Sequence, residues 1–299
     1  MLRSLGLIGA AVLLAGMVQG QTSEGYTVKF KRPGARTVYH VDRREEQTGW
    51  ATIKSTTGKV EQPKGNKRIL VFRYRETVLE QPEGEPLPAR LQRRYDKAAQ
   101  TIDGKTGSFP FEGKTVLIEK KDTQYVFKIE DGDELKAPDA GPLLEEFGPS
   151  GGKKFEMENR LLPGKAVRPG ATWSPDLGAF IKQLEASSKW EVDAGKTTGK
   201  VKLLRLFKKD GRQFGVLDVH LQFVPRTIPT LEKRILAPPG NKVVLDLEIN
   251  GCIDGSSLNA TVTARIQMDT VMPAGGKDGE IVTLRIRNTV KETRTEMPN

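Results

Sequence analysis

Apolar and polar side chains occupy alternate positions along most of this 299-residue chain. In one segment, Leu217, Val219 and Leu221 fall on one side of an extended backbone, and Asp218 and His220 fall on the other. Successive side chains of a β-strand point to opposite faces, so this period of two indicates strands with one buried and one solvated face. Only 36% of the residues are hydrophobic, a low fraction that by itself would allow disorder. A disordered chain would not keep the alternating pattern, however. The sequence therefore predicts a mainly β fold of antiparallel sheets with minor helical content.

The alternation is interrupted in the middle of the chain. Residues 21–138 and 187–292 both show the strand pattern and predict two β-rich halves. Residues 139–186 are rich in Gly and Pro and predict a connector with short helices. Two β subdomains and one elongated curved sheet are both compatible with this plan. The last residues, 293–299, lack a pattern and are expected to fray.

Two segments of the connector begin with helix-start signals. Asp139 is placed to cap a short helix that carries Leu143, Leu144 and Phe147. Ser174-Pro175-Asp176 offers an N-cap, a proline at the first helical position and an early acidic residue. The apolar residues that follow recur at helical spacing, so we expect a helix of about three turns laid on a sheet. They are Leu177, Phe180, Ile181 and Leu184.

Two short turns predict hairpins. Lys209-Asp210-Gly211-Arg212 joins the strand-like segments 200–207 and 214–224 and is the strongest such signal in the chain. Lys121-Asp122-Thr123 joins a second pair of alternating segments. Tight hairpins imply that neighbouring strands of the sequence are also neighbours in the sheet.

The first 20 residues predict a cleaved signal peptide. Arg3 supplies a positive charge, Leu7 to Val18 form an apolar run, and small residues precede Gln21, which would begin the mature chain. The apolar run is shorter than the roughly 20 residues that cross a bilayer. We therefore expect an exported protein, periplasmic or secreted, without a transmembrane span after cleavage.

The inventory of reactive side chains argues against common catalytic and metal sites. Cys252 is the single cysteine, and His40 and His220 are the two histidines. Asp218 shares a strand face with His220, but no nucleophile accompanies the pair. Gly148–Lys154 has the composition of a phosphate loop without its spacing and is expected to be a flexible linker. The sequence predicts no catalytic residues, no metal and no cofactor.

The chain is basic, with a formal net charge of +10 and an isoelectric point near 9.5. Its basic residues are not clustered with aromatic residues, and export would remove the usual nucleic-acid partners, so no nucleic acid is expected. The densest basic group is Arg90, Arg93 and Arg94, which we interpret as charges that protect a strand edge.

The segment Leu161-Leu162-Pro163-Gly164-Lys165-Ala166-Val167-Arg168-Pro169-Gly170-Ala171-Thr172-Trp173 resembles a pattern of exported bacterial proteins of unknown function. Arg94-Tyr95-Asp96-Lys97-Ala98 and the segment Phe214 to Leu221 are similar to the same group. The resemblance spans roughly residues 90–270. It implies an exported, β-rich protein and no particular site residue.

The first functional hypothesis is the binding of an apolar or amphiphilic ligand, such as a lipid, in the cell envelope. A curved sheet closed by the helix that follows Ser174 would leave a cavity, and Trp173 would either plug the space between helix and sheet or stack on the ligand. A packed core is the competing interpretation of the same residues. The candidate lining residues are Leu177, Phe180, Leu203, Val219 and Ile266.

The alternative hypotheses use other surfaces. Arg265, Arg285 and Arg287 lie at polar positions of the C-terminal strands and would suit a structural or surface protein that binds an anionic envelope polymer. A hydrolase with an unfamiliar fold is the third hypothesis.

Overall fold

The computed structural model describes residues 25–54, 64–85, 87–148, 160–188, 191–229, 234–273 and 281–298. Strands account for 61% of the described residues and helices for 7%, which confirms the predicted mainly β fold. The strands are β1 (Val38–Lys54), β2 (Lys64–Glu80), β3 (Arg90–Ile102), β4 (Lys105–Ser108), β5 (Thr115–Lys121), β6 (Gln124–Ile129), β7 (Thr172–Trp173), β8 (Glu191–Val192), β9 (Thr198–Lys209), β10 (Arg212–Phe223), β11 (Pro225–Pro229), β12 (Arg234–Leu236), β13 (Lys242–Cys252), β14 (Ala260–Pro273) and β15 (Ile281–Glu296). The helices are α1 (Gly141–Phe147) and α2 (Leu177–Ser188).

One 12-stranded antiparallel sheet contains strands from both halves of the chain. Its order is β6-β5-β3-β2-β1-β15-β14-β13-β10-β9-β7, with β4 paired to β3. The last strand, β15, lies between β1 and β14 and so joins the two halves through backbone hydrogen bonds. Of the two arrangements compatible with the sequence, the single sheet is the one observed. The strands β12-β11-β8, in this order, form a second, small sheet.

The expectation of a frayed tail from residue 293 is wrong for its first four residues. Strand β15 continues to Glu296, with Thr293 opposite Asp42 of β1 and Thr261 of β14. These residues are polar on both faces, so no alternation marks them as a strand. Pairing of all four residues with β1, and of Thr293 and Arg294 also with β14, gives their backbone groups partners that the sequence pattern does not reveal.

Both hydrophobic cores lie on the same face of the sheet, which we call the inner face. A row of directly opposed residues crosses the central strands, and opposed residues in a ladder point to the same side. The N-terminal core lies at one end of this face under α1, and the C-terminal core lies at the other end under α2. The row that connects them runs Phe72, Arg43, Glu292, Val262, Ile249 and Leu217.

The helices occur where predicted, but their caps differ from the prediction. Helix α2 begins at Leu177, and the backbone N–H of Ala179 donates to Asp176 Oδ1 at 3.1 Å, so Asp176 rather than Ser174 caps it. Helix α1 has Ala140 at the N-cap position and no side-chain cap, so Asp139 does not serve that role. In each case the helix begins one or two residues later than the sequence signal suggests.

The predicted hairpins are confirmed. Asp210 and Gly211 have φ values of 52° and 76° and join β9 to β10 in the left-handed conformation that a two-residue hairpin turn requires. Asp122 has a φ value of 55° and lies in the turn between β5 and β6. Asp103 and Gly104 form a further two-residue turn, like that of Asp210 and Gly211, between β3 and β4.

Candidate ligand-binding site

The space between α2 and the sheet is filled by side chains. Phe180 of α2 is 2% exposed, and Leu203 and Val219 of the strands are completely buried. Leu177 packs against the same cluster from the start of the helix. These residues form the C-terminal core, which corresponds to the packed-core interpretation of the sequence.

Trp173 has a structural position beside this core. Its ring is partly buried against the cluster, and Nε1 donates a hydrogen bond to the carbonyl oxygen of Leu161 at 2.7 Å. A buried indole N–H needs such a partner. Trp173 therefore ties the connector to the edge of the sheet.

Ile266 lies elsewhere, on an apolar part of the inner face that remains partly exposed. It is opposite Leu245 of β13, and the next row places Met268 beside Ile286 of β15. The helices make their main contacts with β6 and β8. These side chains are accordingly half-buried rather than buried. We call this surface the open apolar face; it comprises Val243, Leu245, Leu247, Ala264, Ile266, Met268, Leu284 and Ile286.

The open apolar face continues into a cavity of about 170 Å³. On the inner face, Leu247 follows Leu245 along β13, and Val262 precedes Ala264 along β14. Both Leu247 and Val262 line this cavity. The segment before β1 supplies Phe30 as a wall, because the backbone N–H of Lys29 donates to Ile253 O at 2.7 Å and holds the segment against the sheet. An apolar cavity of about 150 Å³ accepts a molecule the size of benzene. The remaining apolar lining residues are Leu161, Ile249, Cys252, Leu258 and Ala260, and the polar ones are Lys31, Ser257, Asn259, Glu292 and Arg294.

A polar boundary crosses the inner face at β1 and β15. Arg43 Nη2 donates to Glu45 Oε2 at 2.9 Å, and Asn288 Nδ2 donates to Glu45 Oε1 at 3.0 Å. Arg294 Nε donates to Glu292 Oε1 at 2.7 Å. Lys31, which lines the cavity, pairs with Glu296. The boundary separates the open apolar face from the N-terminal core.

The charged neighbours of Glu292 in the polar boundary determine its protonation state. Burial raises the pKa of Glu292, but the opposing charges of Arg294 and Arg43 outweigh burial and leave that pKa below its ordinary value. The Glu292 side chain is only 16% exposed. It therefore stays ionised at neutral pH as part of an ion-pair network rather than as a proton donor.

Acid is expected to destabilise the protein through Glu292. A carboxylate whose pKa is lower in the folded state contributes stability above its unfolded pKa of about 4.3, and loses it as the pH falls through the folded pKa. Urea unfolding below about pH 5 should therefore show a declining free energy of unfolding, and the decline should be less steep in Glu292→Gln. Glu248→Gln, at an exposed position of β13, is the control and should decline as the wild type does. Equal slopes for wild type and Glu292→Gln would contradict this assignment.

A second buried ionic cluster fixes α1 to the sheet. Arg93 is 3% exposed and donates from Nε to Glu76 Oε2 at 2.5 Å. Its two terminal nitrogens donate to the carboxylate of Glu146 at 2.9 and 2.6 Å. The guanidinium also lies 4.4 Å from the ring centre of Tyr74. Tyr39 donates its hydroxyl hydrogen to the other oxygen of Glu76.

The interpretation of Arg93 as a strand-edge charge is wrong. Strand β3 lies between β2 and β5, inside the sheet. The signal for its burial is present in the sequence, because Leu91, Arg93 and Tyr95 alternate with Gln92 and Arg94 and so share the apolar side of the strand. A cation on that side implies buried acidic partners, which the local sequence does not identify.

The opposite, outer face carries the predicted arginines among acidic partners. Arg287 Nη2 contacts Asp269 Oδ1 and Oδ2 at 3.0 and 3.2 Å, and Arg285 Nε lies 3.9 Å from the same carboxylate. Arg265 is opposite Asp246 of β13. Two of the three arginines thus share one carboxylate, which reduces the positive field that an anionic polymer would meet.

His220 also belongs to the outer face. Its Nδ1 lies 2.7 Å from Asp246 Oδ1 across the β10–β13 pair, and the His220 and Asp246 side chains are 52% and 37% exposed. Its partner is therefore the directly opposed Asp246 rather than Asp218 of its own strand. Direct cross-strand neighbours are closer than residues two apart along one strand.

Some predictions fall on residues that are not described. The predicted signal peptide, residues 1–20, lies outside the described ranges, as does most of the expected flexible linker at Gly148–Lys154. Within the described ranges, neither helix has the length and apolar character required to cross a membrane.

Comparison with known proteins gives only weak likenesses. No protein-family profile matches the chain, and no curated protein matches its sequence. A solved structure concerned with lipid–protein interactions in lipovitellin is similar over 89% of this chain and 26% of its own, with 8% identity and a TM-score of 0.37. The attachment invasion locus protein Ail of Yersinia pestis aligns over 86% of this chain and 99% of its own, with 6% identity and a TM-score of 0.15. The chain thus spans about a quarter of the lipovitellin chain, and neither likeness defines a class of protein for it.

Proposed function

We propose that this protein is an exported, non-catalytic binding protein for an apolar or amphiphilic ligand of the cell envelope. The observation that supports it is the open apolar face, which continues into the cavity of about 170 Å³. Export is proposed from the leader-like pattern of residues 1–20.

The open apolar face has an energetic cost that a ligand would remove. Each Å² of apolar surface transferred from water contributes roughly 25 cal/mol, and soluble monomers rarely keep large contiguous apolar patches exposed. Eight neighbouring apolar positions on three adjacent strands form a half-buried patch of this kind here. An alkyl chain laid on the face, with its end in the cavity, would bury this surface.

Binding is favoured over catalysis because the polar groups near the cavity are engaged with one another. Arg294 pairs with Glu292 and Lys31 pairs with Glu296. Such pairs hold a structure in place but offer no group free to attack or protonate a substrate. The anionic-polymer alternative has less support, because Asp269 already contacts Arg285 and Arg287.

Replacing Ile266 by asparagine is expected to weaken ligand binding. The neutral probe N-phenyl-1-naphthylamine becomes fluorescent in apolar surroundings and reports occupancy of the face. An amide at the centre of the face must be desolvated when the probe binds, which costs about 1–3 kcal/mol and lowers the affinity about tenfold or more. The measurement is a fluorescence titration of the full-length protein.

Gln267→Asn is the matched control, because Gln267 is the next residue of β14 and is exposed on the outer face. It should bind the probe as the wild type does. A wild-type protein that fails to bind the probe, or an Ile266→Asn variant with unchanged affinity, would contradict the proposed function.

A further inference from the structure

Strands β1 and β15 extend beyond several of their neighbours at one end of the large sheet. Strand β13 begins at Lys242 and β3 ends at Ile102, and neither strand continues past the row that contains Trp50. We call residues 50–54 of β1 and 281–285 of β15, which are paired with each other, the projecting end. None of these residues belongs to either hydrophobic core.

The projecting end is apolar on both faces. On the inner face, Ile53 is opposite Val282, and the next inner row contains Leu284 of the open apolar face. On the outer face, Trp50 and Ile281 are 39% and 43% exposed. Side chains on the solvated face of an antiparallel sheet are normally polar. Large exposed apolar side chains at this one end therefore indicate contact with a surface other than water.

The outer face of β1 has a different composition toward the other end of the strand. Asp42, Arg44 and Glu46 lie there, and each takes part in an ion pair. Arg44 pairs with Glu46, and Asp42 pairs with Arg73 of β2. The apolar composition of the outer face of β1 is thus confined to the projecting end.

A lipid bilayer matches an element that is apolar on both faces. A protein that packs on a sheet covers one of its faces. Lipids surround an element that enters the interfacial region and contact it on all sides. Tryptophan is enriched in that region because its ring is apolar and its indole N–H is polar. The exposed Trp50 ring has these properties.

The charge beside the projecting end complements an anionic surface. Arg285 is opposite Trp50, and its side chain is 65% exposed. Lys54 and Lys242 are also exposed. Among the described outer-face residues from the Trp50 row to the ends of these strands, Asp269 is the only acidic one. The excess of positive charge is favourable beside anionic headgroups, which attract nearby Lys and Arg side chains.

We propose that the projecting end docks on the surface of an anionic lipid bilayer. Trp50 and Ile281 enter the interfacial region, and Arg285 lies beside the lipid phosphates. Because Leu284 belongs to the open apolar face, docking places that face next to the bilayer. The inference goes beyond the proposed function and stands without it, since docking requires no ligand on the face.

The test is cosedimentation of the full-length protein with lipid vesicles. One set of vesicles contains phosphatidylcholine alone, and the other contains equal amounts of phosphatidylcholine and phosphatidylglycerol. Binding to the anionic set should be about tenfold tighter, because the excess positive charges interact favourably with its surface. Added salt should weaken that binding. A wild-type protein that does not bind the anionic vesicles, or binds both sets equally, would overturn the proposal.

The double variant Trp50→Thr/Ile281→Thr tests the apolar contact. Threonine keeps a strong strand preference but removes most of the apolar surface, so binding should weaken about tenfold or more. Leu204→Thr is the matched control, because Leu204 is 42% exposed and lies on β9, four strands from β15. It should bind as the wild type does. Circular dichroism establishes folding, and Trp50→Thr alone replaces the double variant if the latter does not fold. Unchanged binding by the folded variant would overturn the proposal.

Arg285→Gln tests the contribution of charge. It should weaken binding to the anionic vesicles about fivefold and leave binding to phosphatidylcholine unchanged. Arg212→Gln removes the same charge from an exposed position of the β9–β10 hairpin, at the opposite end of the sheet, and should bind as the wild type does. Equal losses in both variants would show that net charge, rather than the projecting end, determines binding.

The outcomes separate this inference from the proposed function. Trp50, Ile281 and Arg285 lie on the outer face, so their variants should bind N-phenyl-1-naphthylamine as the wild type does in the absence of vesicles. Vesicle binding by a wild type that does not bind the probe would overturn the proposed function alone. Probe binding without vesicle binding would overturn docking alone. A vesicle-free dimer that dissociates in the double variant, measured by analytical ultracentrifugation, would assign the projecting end to a second copy of the chain and overturn docking.

Discussion

Arg93→Met is expected to lower the free energy of unfolding by about 3 to 5 kcal/mol. The substitution removes the cation that contacts Glu76 and Glu146, and the loss is more costly at Glu76 because Glu76 is 2% exposed. Its remaining partner is the hydroxyl of Tyr39, which cannot neutralise its charge. Methionine has a similar length to the arginine stem, so the loss would come from charge rather than from volume. Urea unfolding at neutral pH, followed by tryptophan fluorescence, measures it.

Arg94→Met is the matched control for this variant. Arg94 is the next residue of β3, is exposed, and donates only to the carbonyl oxygen of Gly113 among its described side-chain contacts. Exposed substitutions of this kind change stability by about 0.5 kcal/mol or less. A loss below about 1 kcal/mol for Arg93→Met would show that the cluster contributes little to holding α1 on the sheet.

The double variant Arg93→Met/Glu76→Gln tests the cause. If the cost arises from an uncompensated buried carboxylate, removal of the Glu76 charge should restore part of the stability that Arg93→Met loses. A double variant that is less stable than Arg93→Met would instead indicate that Glu76 is needed for its hydrogen bonds, of which Tyr39 supplies one.

Where one face of a strand is apolar, the sequence sufficed to predict the strand and the side that it buries. Leu217, Val219 and Leu221 of β10 lie on the inner face as the alternation indicates, and the Asp210-Gly211 turn fixes the register between β9 and β10. Strands β13 and β14 follow the same rule. A hydrophobic period of two identifies both the strand and its orientation, because a slip by one residue would expose the whole apolar set.

The pairing of β1 with β15 was not predictable in the same way. Along β1, Arg43, Glu45 and Gln47 face inward and alternate with Asp42, Arg44 and Glu46, so both faces are polar and the period carries no signal. Moreover, Asn288 contacts Glu45 across a sequence separation of 243 residues. Local patterns identify strands, but they do not identify distant partners.

The candidate site was only partly predictable, because it depends on which strands are neighbours in the sheet. Ile266 was predicted to bind ligand and lies on the open apolar face, but β13 and β10 separate its strand from β9, so it is not a neighbour of Leu203 in the sheet. The strand order that determines which apolar residues are neighbours is a long-range property. The same order places β15 beside β14 and so brings the polar boundary to the edge of the apolar face.

Phe180→Ala is expected to destabilise the protein by about 3 to 5 kcal/mol and to leave probe binding unchanged. Phe180 is 2% exposed and belongs to the same core cluster as Val201 and Leu203, both completely buried. Removal of its ring leaves a space that rigid strands beneath the helix cannot close, so the transfer free energy and the cavity cost add. Lys182→Ala, at an exposed position of the same helix, is the control and should change stability by about 0.5 kcal/mol or less.

The combination of readouts separates a core residue from a ligand-lining one. A residue that lines an occupied cavity would lose affinity for N-phenyl-1-naphthylamine when truncated, whereas a core residue would lose stability alone. Phe180→Ala should therefore lose stability and keep its affinity for the probe. Ile266 lies on the partly exposed face, so Ile266→Asn should lose affinity with a smaller loss of stability. Loss of probe binding in a folded Phe180→Ala variant would move the site from the open apolar face to the space under α2.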